Sequence, residues 1–373
     1  MRAIAVIGAG KIGKTIAELL RASGDFHVII ADRDAAQLAG IEAGNAITTS
    51  PIDISDAGAL DALLAGKFAV LSAAPFHLTL PIAKAAARTG VHYLDLTEDV
   101  ASTRQVKRLA ATAETAFIPQ CGLAPGFISI AAHDMAQRFD ALDEVRMRVG
   151  ALPEFPSNGL NYNLTWSTDG VINEYLEPCE AIVDGEIRET PALAEREEFS
   201  LDGVRYEAFN TSGGLGTLCE TLHGKVRTLN YRTIRYPGHC AIMKVLLHDL
   251  RLGARREVLK DIFENALPTT PQDVVVIFIT VTGEKDGRLS QETFAHRVYA
   301  GDYFGRERTA IQITTASAIC AVLDMLADGA LPQRGFVRQE QITLDDFLGN
   351  RFGAAFAPDR TGRTDRNARA TAA

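Results

Sequence analysis

The stretch V-I-G-A-G-K-I-G, residues 6–13, decides the fold of this chain. It joins the apolar run Ala3–Ile7, which predicts a β-strand, to Lys14–Ser23, whose apolar spacing predicts a helix. Its glycines fit the pattern G-x-G-x-x-G, in which the first permits a tight turn, the second lets a pyrophosphate approach, and the third lets strand and helix pack. The context predicts a dinucleotide site, although a glycine turn without a ligand has the same pattern. The predicted phosphate-binding residues are Gly8, Gly10, Lys11, Ile12 and Gly13.

The next predicted strand, Phe26–Ala31, leads directly into Asp32 and Arg33. Asp32 lies 32 − 13 = 19 residues after the last glycine of the motif. A carboxylate at this spacing accepts hydrogen bonds from the adenosine ribose and repels a 2′-phosphate, which favours NAD as the cofactor. Arg33 keeps NADP open, because a guanidinium can pair with that phosphate.

Two later positions extend the predicted cofactor site. Asp53 follows a short strand and is placed at the adenine edge, although a turn-forming aspartate is a comparable interpretation. The predicted strand Ala69–Ala74 ends in small residues, which would let the nicotinamide half of the cofactor lie against the backbone. These residues are Ala73, Ala74 and Pro75.

Strands and helices alternate along the first third of the chain, which predicts a parallel sheet covered on both faces. After Gly126 the β-rich stretches follow one another without regular helices, which predicts a mixed sheet. The predicted fold class is therefore α/β, with a Rossmann parallel-sheet domain and an α+β substrate domain. The predicted boundaries are 1–122 for the first domain, 123–308 for the second, 309–350 for C-terminal helices that return to the first, and 358–373 for a flexible tail.

Composition limits the classes of function. The chain has 373 residues, 47% of them hydrophobic, and a net charge of −9 without a basic block, so we expect no nucleic-acid partner. No apolar run reaches the ~18 residues that span a bilayer, and no cleavage site follows the N-terminus, so we expect no membrane partner and no signal peptide. The five cysteines form no C-x-x-C pair and no histidine motif has ligand spacing. We therefore expect no metal site and a cytoplasmic location.

Four polar clusters are candidates for the substrate side. Asp95 and Glu98 follow the fourth predicted strand, although Glu98 also suits the cap of the next helix. Arg235 suits a substrate carboxylate and His239 titrates near neutrality, but an internal ion pair and a packed histidine are the ordinary alternatives. The catalytic candidates are Asp95, Glu98 and His239, and the substrate-binding candidates are Tyr162, Trp166, Ser212 and Arg235.

Longer motifs give the chain a family resemblance over roughly residues 1–350. The general ones are G-A-G-K-I-G, A-A-P-F-H-L-T-L-P-I-A-K-A-A (73–86), V-H-Y-L-D-L-T-E (91–98) and C-G-L-A-P-G-F (121–127). The specific ones are N-L-T-W-S-T-D-G-V-I-N-E-Y-L-E-P (163–178) with V-D-G (183–185), E-A-F-N-T-S-G-G-L-G-T-L (207–218) and R-T-I-R-Y-P-G-H (232–239). At these positions the sequence resembles the saccharopine dehydrogenase-like family, and most of all its L-lysine 6-dehydrogenase branch.

The resemblance implies NAD-dependent oxidative deamination of the lysine ε-amine. The products would be ammonia and 2-aminoadipate 6-semialdehyde, which cyclises to piperideine-6-carboxylate. It also implies a homo-oligomer, a dimer or a tetramer. Saccharopine-forming members usually carry G-L-D-P-G, and this chain has Ala124 in place of the aspartate, which favours the lysine-oxidising branch.

Two other functions stay open at this stage. The first is a saccharopine or carboxynorspermidine dehydrogenase that uses NAD or NADP. The second is a dinucleotide-binding protein without catalytic activity, which the number of polar groups in the second domain disfavours.

Overall fold

A computed structural model describes residues 1–42, 44 and 46–357 of the chain. The predicted flexible tail, 358–373, lies outside the described residues. Two large sheets organise the molecule, one entirely parallel and one mixed. This arrangement confirms the predicted fold class.

The parallel sheet is built from the first third of the chain. Its strands in sequence are β1 (Arg2–Ile7), β2 (Phe26–Asp32), β3 (Ile47–Pro51), β4 (Ala69–Ser72), β5 (His92–Asp95) and β6 (Ala116–Ile118). Their spatial order is β6-β5-β4-β1-β2-β3, so the order reverses between β4 and β1, where α/β sheets bind ligands. The helices between the strands are α1 (Lys11–Ser23), α2 (Ala35–Ala39), α3 (Ala57–Leu64), α4 (Thr79–Thr89) and α5 (Val100–Ala110), with a 3₁₀ turn at Phe76–Leu78.

Burial on both faces explains why these strands read as continuous apolar runs. Along β1, Ile4 and Val6 enter one hydrophobic cluster, and Ala5 and Ile7 enter the cluster on the opposite face. Successive strand residues point to opposite sides, so a strand with both sides covered has no polar alternation. The predicted strands of this region therefore agree with the observed ones to within a few residues.

The mixed sheet follows. Its strands are β7 (Ala141–Pro153), β8 (Cys179–Val183), β9 (Glu186–Thr190), β10 (Glu197–Leu201), β11 (Val204–Asn210), β12 (Val226–Arg235), β13 (Asp273–Lys285) and β14 (Arg288–Tyr299). The main order is β10-β11-β12-β7-β13-β14, and β8 joins β12 to β9. The pair β7–β12 is parallel and β7–β13 is antiparallel, which makes the sheet mixed. Its helices are α6 (Phe127–Ala136), α7 (Thr168–Leu176), α8 (Leu218–Leu222), α9 (His239–Lys244) and α10 (Arg256–Ala266), with short helical turns at Val245–Asp249 and Leu252–Ala254.

The C-terminal part runs back to the parallel sheet. A small pair, β15 (Gly301–Asp302) and β16 (Glu307–Arg308), precedes α11 (Ala310–Ala327), and β17 (Gly335–Phe336), α12 (Leu344–Gly349) and turns at Gln339–Gln341 and Gly353–Phe356 follow it. Helix α11 lies against α1, where the Gln312 amide donates to the Thr15 hydroxyl at 3.3 Å. Contrary to the expectation from sequence, α11 is long and apolar enough to cross a membrane, but 89% of it is buried inside the protein, as in a core helix.

One C-terminal segment, residues 335–341, links both sheets, and we call it the strap. Strand β17 pairs in parallel with β6 at the edge of the first sheet. The Gln339 amide donates to the Pro119 carbonyl at 2.9 Å, and the Glu340 carboxylate accepts from the Thr217 hydroxyl at 2.9 and 3.0 Å. The strap therefore holds the end of β6 next to the loop that precedes α8. It was not predicted, because a two-residue strand has no sequence period.

Candidate active site between the two sheets

The glycine loop after β1 has the shape of a phosphate cradle. Gly8 has φ +102°, and a Cβ there would lie 2.7 Å from the Ala73 carbonyl oxygen. A Cβ on Gly13 would lie 1.8 Å from the Gly8 carbonyl oxygen, whereas one on Gly10 would meet nothing within 4 Å. Two of the glycines are thus required by packing, and Gly10 faces open space. No side chain caps the N-terminus of α1, so the first-turn amides of Lys11 and Ile12 are available to an anion.

Asp32 lies at the end of β2 beside this loop. Its Oδ2 accepts from the Ala9 amide at 2.7 Å and its Oδ1 from the Asp34 amide at 2.9 Å. A carboxylate has about four acceptor positions, so this one keeps capacity for two ribose hydroxyls. The residues around the loop therefore fit a dinucleotide.

The other predicted cofactor residues surround the same edge of the sheet. Asp53 is exposed and accepts from the Ser55 amide at 2.9 Å, as a turn-forming aspartate does. That hydrogen bond and, to a smaller extent, the Arg33 charge lower the pKa of Asp53. Ala73, Ala74 and Pro75 follow β4, with the Ala73 carbonyl against Gly8.

Asp95, a predicted catalytic residue, lies at the end of β5 and is buried. Its carboxylate accepts from the Tyr93 hydroxyl at 2.8 Å, from the Thr97 amide at 3.0 Å and from the Gln120 amide at 2.8 Å. Burial raises the pKa of Asp95 to about 6 against these hydrogen bonds. The side chain ties β5 to the segment after β6, so the structure gives it a scaffold position rather than the substrate contact that we expected.

Glu98 lies three residues further along and is only half-buried. Gly213, with φ +85°, packs on it so closely that a Cβ there would lie 2.5 Å from the Glu98 carbonyl oxygen. Gly213 belongs to the loop between β11 and α8, so Glu98 is where the parallel sheet and the second domain meet. Burial, and then the charges of Asp99 and Asp95, raise the pKa of Glu98 to about 7.

Arg235 ends β12 and is 2% exposed. Its Nε donates to the Tyr175 hydroxyl at 2.9 Å and its Nη1 to the Ile234 carbonyl at 2.8 Å. The guanidinium carbon lies 4.9 Å from the centre of the Tyr162 ring. In the described residues no carboxylate lies within ion-pair distance of this guanidinium, so it keeps donors for a ligand.

His239 occupies a different role from the one that its ordinary pKa suggested. Its Nε2 lies 3.0 Å from the Tyr175 hydroxyl and its Nδ1 lies 2.9 Å from the Leu160 carbonyl, so both ring nitrogens are engaged. Burial and the Arg235 charge lower the pKa of His239 to about 3, which keeps the ring neutral. A neutral ring with an Nδ1–H donor accepts the Tyr175 hydrogen at Nε2 and leaves that phenol oxygen to Arg235. The histidine is thereby a positioning residue, with no free nitrogen to relay a proton.

The remaining predicted residues line this region. The Thr211 hydroxyl is buried without a hydrogen-bond partner among the described residues, and the buried Tyr162 hydroxyl lies near Thr165 and Trp166. Ser212 is buried, and its amide donates to the Glu174 carbonyl at 3.1 Å. Trp166 is half-buried, and its ring rests on Gly170, where a Cβ would lie 2.3 Å from the indole.

Glu174 was not among the predicted residues. It lies on α7, is 6% exposed, and faces the charges of Arg235 and Glu98. Burial is the main reason why the pKa of Glu174 is raised to about 8. The Arg235 charge lowers this pKa and the Glu98 charge raises it. Arg235, Glu98 and Glu174 thus form a group of one guanidinium and two carboxyl groups, in which Glu174 is within electrostatic reach of the other two.

Comparisons with known proteins agree with this architecture. A family model for the saccharopine dehydrogenase C-terminal domain matches residues 122–352, and one for the saccharopine dehydrogenase NADP binding domain matches residues 4–118. The saccharopine dehydrogenase [NADP(+), L-glutamate-forming] of Saccharomyces cerevisiae is 22% identical over 282 residues, which cover 71% of this chain and 61% of the yeast protein. The chain thus spans less than two thirds of the length of that curated relative.

One solved structure shows the same fold over nearly the whole chain. The apo saccharopine dehydrogenase (L-Glu forming) from S. cerevisiae superposes with a TM-score of 0.74 at 17% identity, over 95% of this chain and 96% of the other. GenD2 from gentamicin A biosynthesis, in complex with NAD, matches over 90% of this chain and 88% of its own with a TM-score of 0.42 and 12% identity. The second likeness is too low to support an argument, and the first shows that the two-sheet fold extends over nearly the whole chain.

Proposed function

Because the chain belongs to the saccharopine dehydrogenase family, we propose that it is a dinucleotide-dependent amino-acid dehydrogenase that oxidatively deaminates the ε-amine of L-lysine with NAD. The observation that carries the proposal is the charged group between the sheets. A buried guanidinium, Arg235, lies on the second domain, and a carboxylate, Glu98, lies at the strand ends that face the nicotinamide half in α/β sheets. Such a pair suits a substrate with a carboxylate at one end and an amine at the other.

The reaction needs a proton acceptor, because a lysine ammonium has a pKa of about 10.4 and is protonated near neutrality. NAD accepts the hydride when bound. Glu98 is the residue that we assign to the ammonium proton, since Asp95 is occupied by three donors and His239 by two partners. After loss of the proton and the hydride the substrate is an iminium, to which water adds before ammonia leaves.

We propose NAD rather than NADP as the cofactor. The Asp32 carboxylate accepts from the Ala9 amide in the glycine loop, where it would repel a 2′-phosphate. The matching domain model and the yeast relative carry NADP in their names, and the substrate panel below tests both dinucleotides. The homo-oligomer and the cytoplasmic location stay predictions.

The likeness to the yeast protein favours a second candidate, the oxidation of saccharopine. Ala124, in the loop before α6, argues against saccharopine oxidation. Saccharopine-forming members of the family usually have an aspartate at this position. The carboxylate that distinguishes them is therefore missing from this chain.

A substrate panel separates the candidates. L-Lysine, L-ornithine and saccharopine are each supplied as the only amino acid with NAD or NADP, and the near-ultraviolet absorbance of reduced nicotinamide is followed. The proposal expects reduction with lysine and NAD, and release of ammonia in equal amount. Reduction of the dinucleotide with saccharopine but with neither lysine nor ornithine would refute the proposal and favour the second candidate. Tight NAD binding without turnover of any amino acid would indicate a protein that only binds the dinucleotide.

A further inference from the structure

Glu174 is a buried carboxylate without the hydrogen bonds that such a group normally has. It is 6% exposed, and no hydrogen bond between the described residues ends on its side chain; only the charges of Arg235 and Glu98 act on it. A buried ionised carboxylate is costly unless donors or a cation compensate it. Without such compensation burial keeps this carboxyl group protonated near neutrality, and a cationic ligand would supply the compensation that lets it ionise.

Backbone contacts fix where Glu174 stands in the group. The Glu174 carbonyl accepts from the Ser212 amide at 3.1 Å, and the next residue of that loop, Gly213, packs on Glu98. On the other side, the neighbouring Tyr175 binds the Arg235 Nε at 2.9 Å. Glu174 is thus linked through its neighbour Tyr175 to Arg235 and through the Ser212–Gly213 loop to Glu98, and its carboxyl group is within electrostatic reach of both.

The signs of these charges match one class of molecule. An amino acid with a side-chain amine has one carboxylate, an α-ammonium on the same carbon, and a second ammonium at the far end. We propose that Glu174 binds the α-ammonium group of a diamino monocarboxylic acid, with Arg235 on the α-carboxylate and Glu98 on the distal amine. This inference rests on the proposed function and adds a specificity residue to it.

The assignment predicts that an ω-amino acid without an α-amine is a poor substrate. An amine that lacks the α-ammonium leaves the Glu174 carboxyl buried without a partner, which a site built for the full amino acid rejects. The charge balance is also met, since two carboxylates and one guanidinium face two ammonium groups and one carboxylate.

The test compares L-lysine with 6-aminohexanoate, which is lysine without its α-amine. Binding of each to the full chain with NADH present is measured by calorimetry, and oxidation with NAD is measured in parallel, for the wild type, Glu174→Gln and Glu174→Asp. We expect Glu174→Gln to weaken lysine binding by about 10- to 100-fold. Binding of 6-aminohexanoate should stay within about twofold, and the aspartate should restore part of the preference.

Glu177→Gln is the matched control, because Glu177 caps the same helix but is exposed and paired with Arg256 at 2.5 Å. It should leave both ligands unchanged. An equal loss for both ligands in Glu174→Gln, no loss for lysine, or no binding of lysine to the wild type would overturn the assignment. Lysine that binds through Glu174 but is not oxidised would refute the proposed function and keep the subsite.

Discussion

Asp95 and Glu174 are two buried carboxylates in neighbouring parts of the molecule, and they differ in what surrounds them. Asp95 accepts three hydrogen bonds, from Tyr93, Thr97 and Gln120, whereas Glu174 accepts none from the described residues. Burial raises both pKa values, to about 6 and about 8 respectively. A carboxylate whose donors come from its own chain belongs to the scaffold, and one that lacks them is available to a ligand.

The surroundings explain the difference. Tyr93 and Asp95 are two residues apart on β5, so their side chains point to the same side, and the phenol reaches the carboxylate. The Thr97 and Gln120 amides come from the loops that follow β5 and β6, which are adjacent strands. The charged groups that act on Glu174 are another carboxylate, Glu98, and the Arg235 guanidinium, which donates from Nε to the Tyr175 hydroxyl.

The largest effect that we expect comes from removing the satisfied carboxylate. Asp95→Ala leaves three buried donors without an acceptor and should lower the free energy of unfolding by about 4 kcal/mol. Urea unfolding followed by circular dichroism measures this. Asp261→Ala, on the exposed side of α10, is the control and should change it by under about 0.5 kcal/mol. A loss under about 1 kcal/mol for Asp95→Ala would show that the three hydrogen bonds to Asp95 do not stabilise the fold.

The next effect concerns Arg235, the positively charged residue of the candidate substrate site. Arg235→Ala should raise KM for lysine about 100-fold, close to 3 kcal/mol, because the substrate carboxylate loses a buried, charge-assisted donor. Steady-state kinetics with NAD in excess measure it, with Arg205→Ala on the exposed part of β11 as the control. A KM within about twofold of the wild type contradicts the carboxylate role.

A third effect tests the missing donors of Glu174 through the dependence of stability on pH. Because its pKa is raised in the folded chain, the stability that the protonated group contributes is present at low pH and is lost as the pH rises through about 8. At pH 9 the free energy of unfolding of Glu174→Gln should therefore be higher than that of the wild type. The difference, variant minus wild type, should be about 2 kcal/mol larger at pH 9 than at pH 6. Urea midpoints at both pH values measure this, and a constant difference would mean that Glu174 is not strained by burial.

The smallest effect concerns Asp32, whose carboxylate accepts fewer hydrogen bonds than Asp95 and more than Glu174. Asp32 accepts two backbone amides but keeps acceptor positions for a ribose. Asp32→Ala should weaken NAD binding by about tenfold. It should also bring the dissociation constants of NAD and NADP closer together. Fluorescence titration of both reduced cofactors measures it. Unchanged NAD binding would place the ribose elsewhere.

The sequence predicted the parallel sheet better than the mixed sheet, for a physical reason. Strands such as β4, A-V-L-S, are buried along their full length and follow glycine or proline signals at regular distances. Strand β14 in the mixed sheet has exposed residues at most alternate positions, and its pattern R-L-S-Q-E-T-F does not differ from that of a polar loop. Helix α7 escaped assignment because it is buried on nearly all sides and contains a glycine.

The site was predictable only where residue type implies a role. Arg235 and Glu98 were predicted because a guanidinium beside a rigid turn and a carboxylate after a strand are recognisable, and their roles stay predictions. Asp95 and His239 have the right chemistry, but their partners, Gln120 and Leu160, are distant in sequence. Glu174 stands among Glu177 and Glu180 in one polar stretch, and its distinguishing property is burial against a helix face that the sequence does not reveal.

The strap has a consequence for synthesis. The first sheet begins at Arg2 but its outermost strand is β17, and the hydrogen bond that Glu340 accepts from Thr217 closes the region next to Glu98. The parallel sheet of an emerging chain therefore cannot be completed until residues 335–336 have left the ribosome. A protein truncated before Gly335 would keep the other strands of both sheets. It would lack strand β17 and the hydrogen bonds that the strap makes to Pro119 and Thr217.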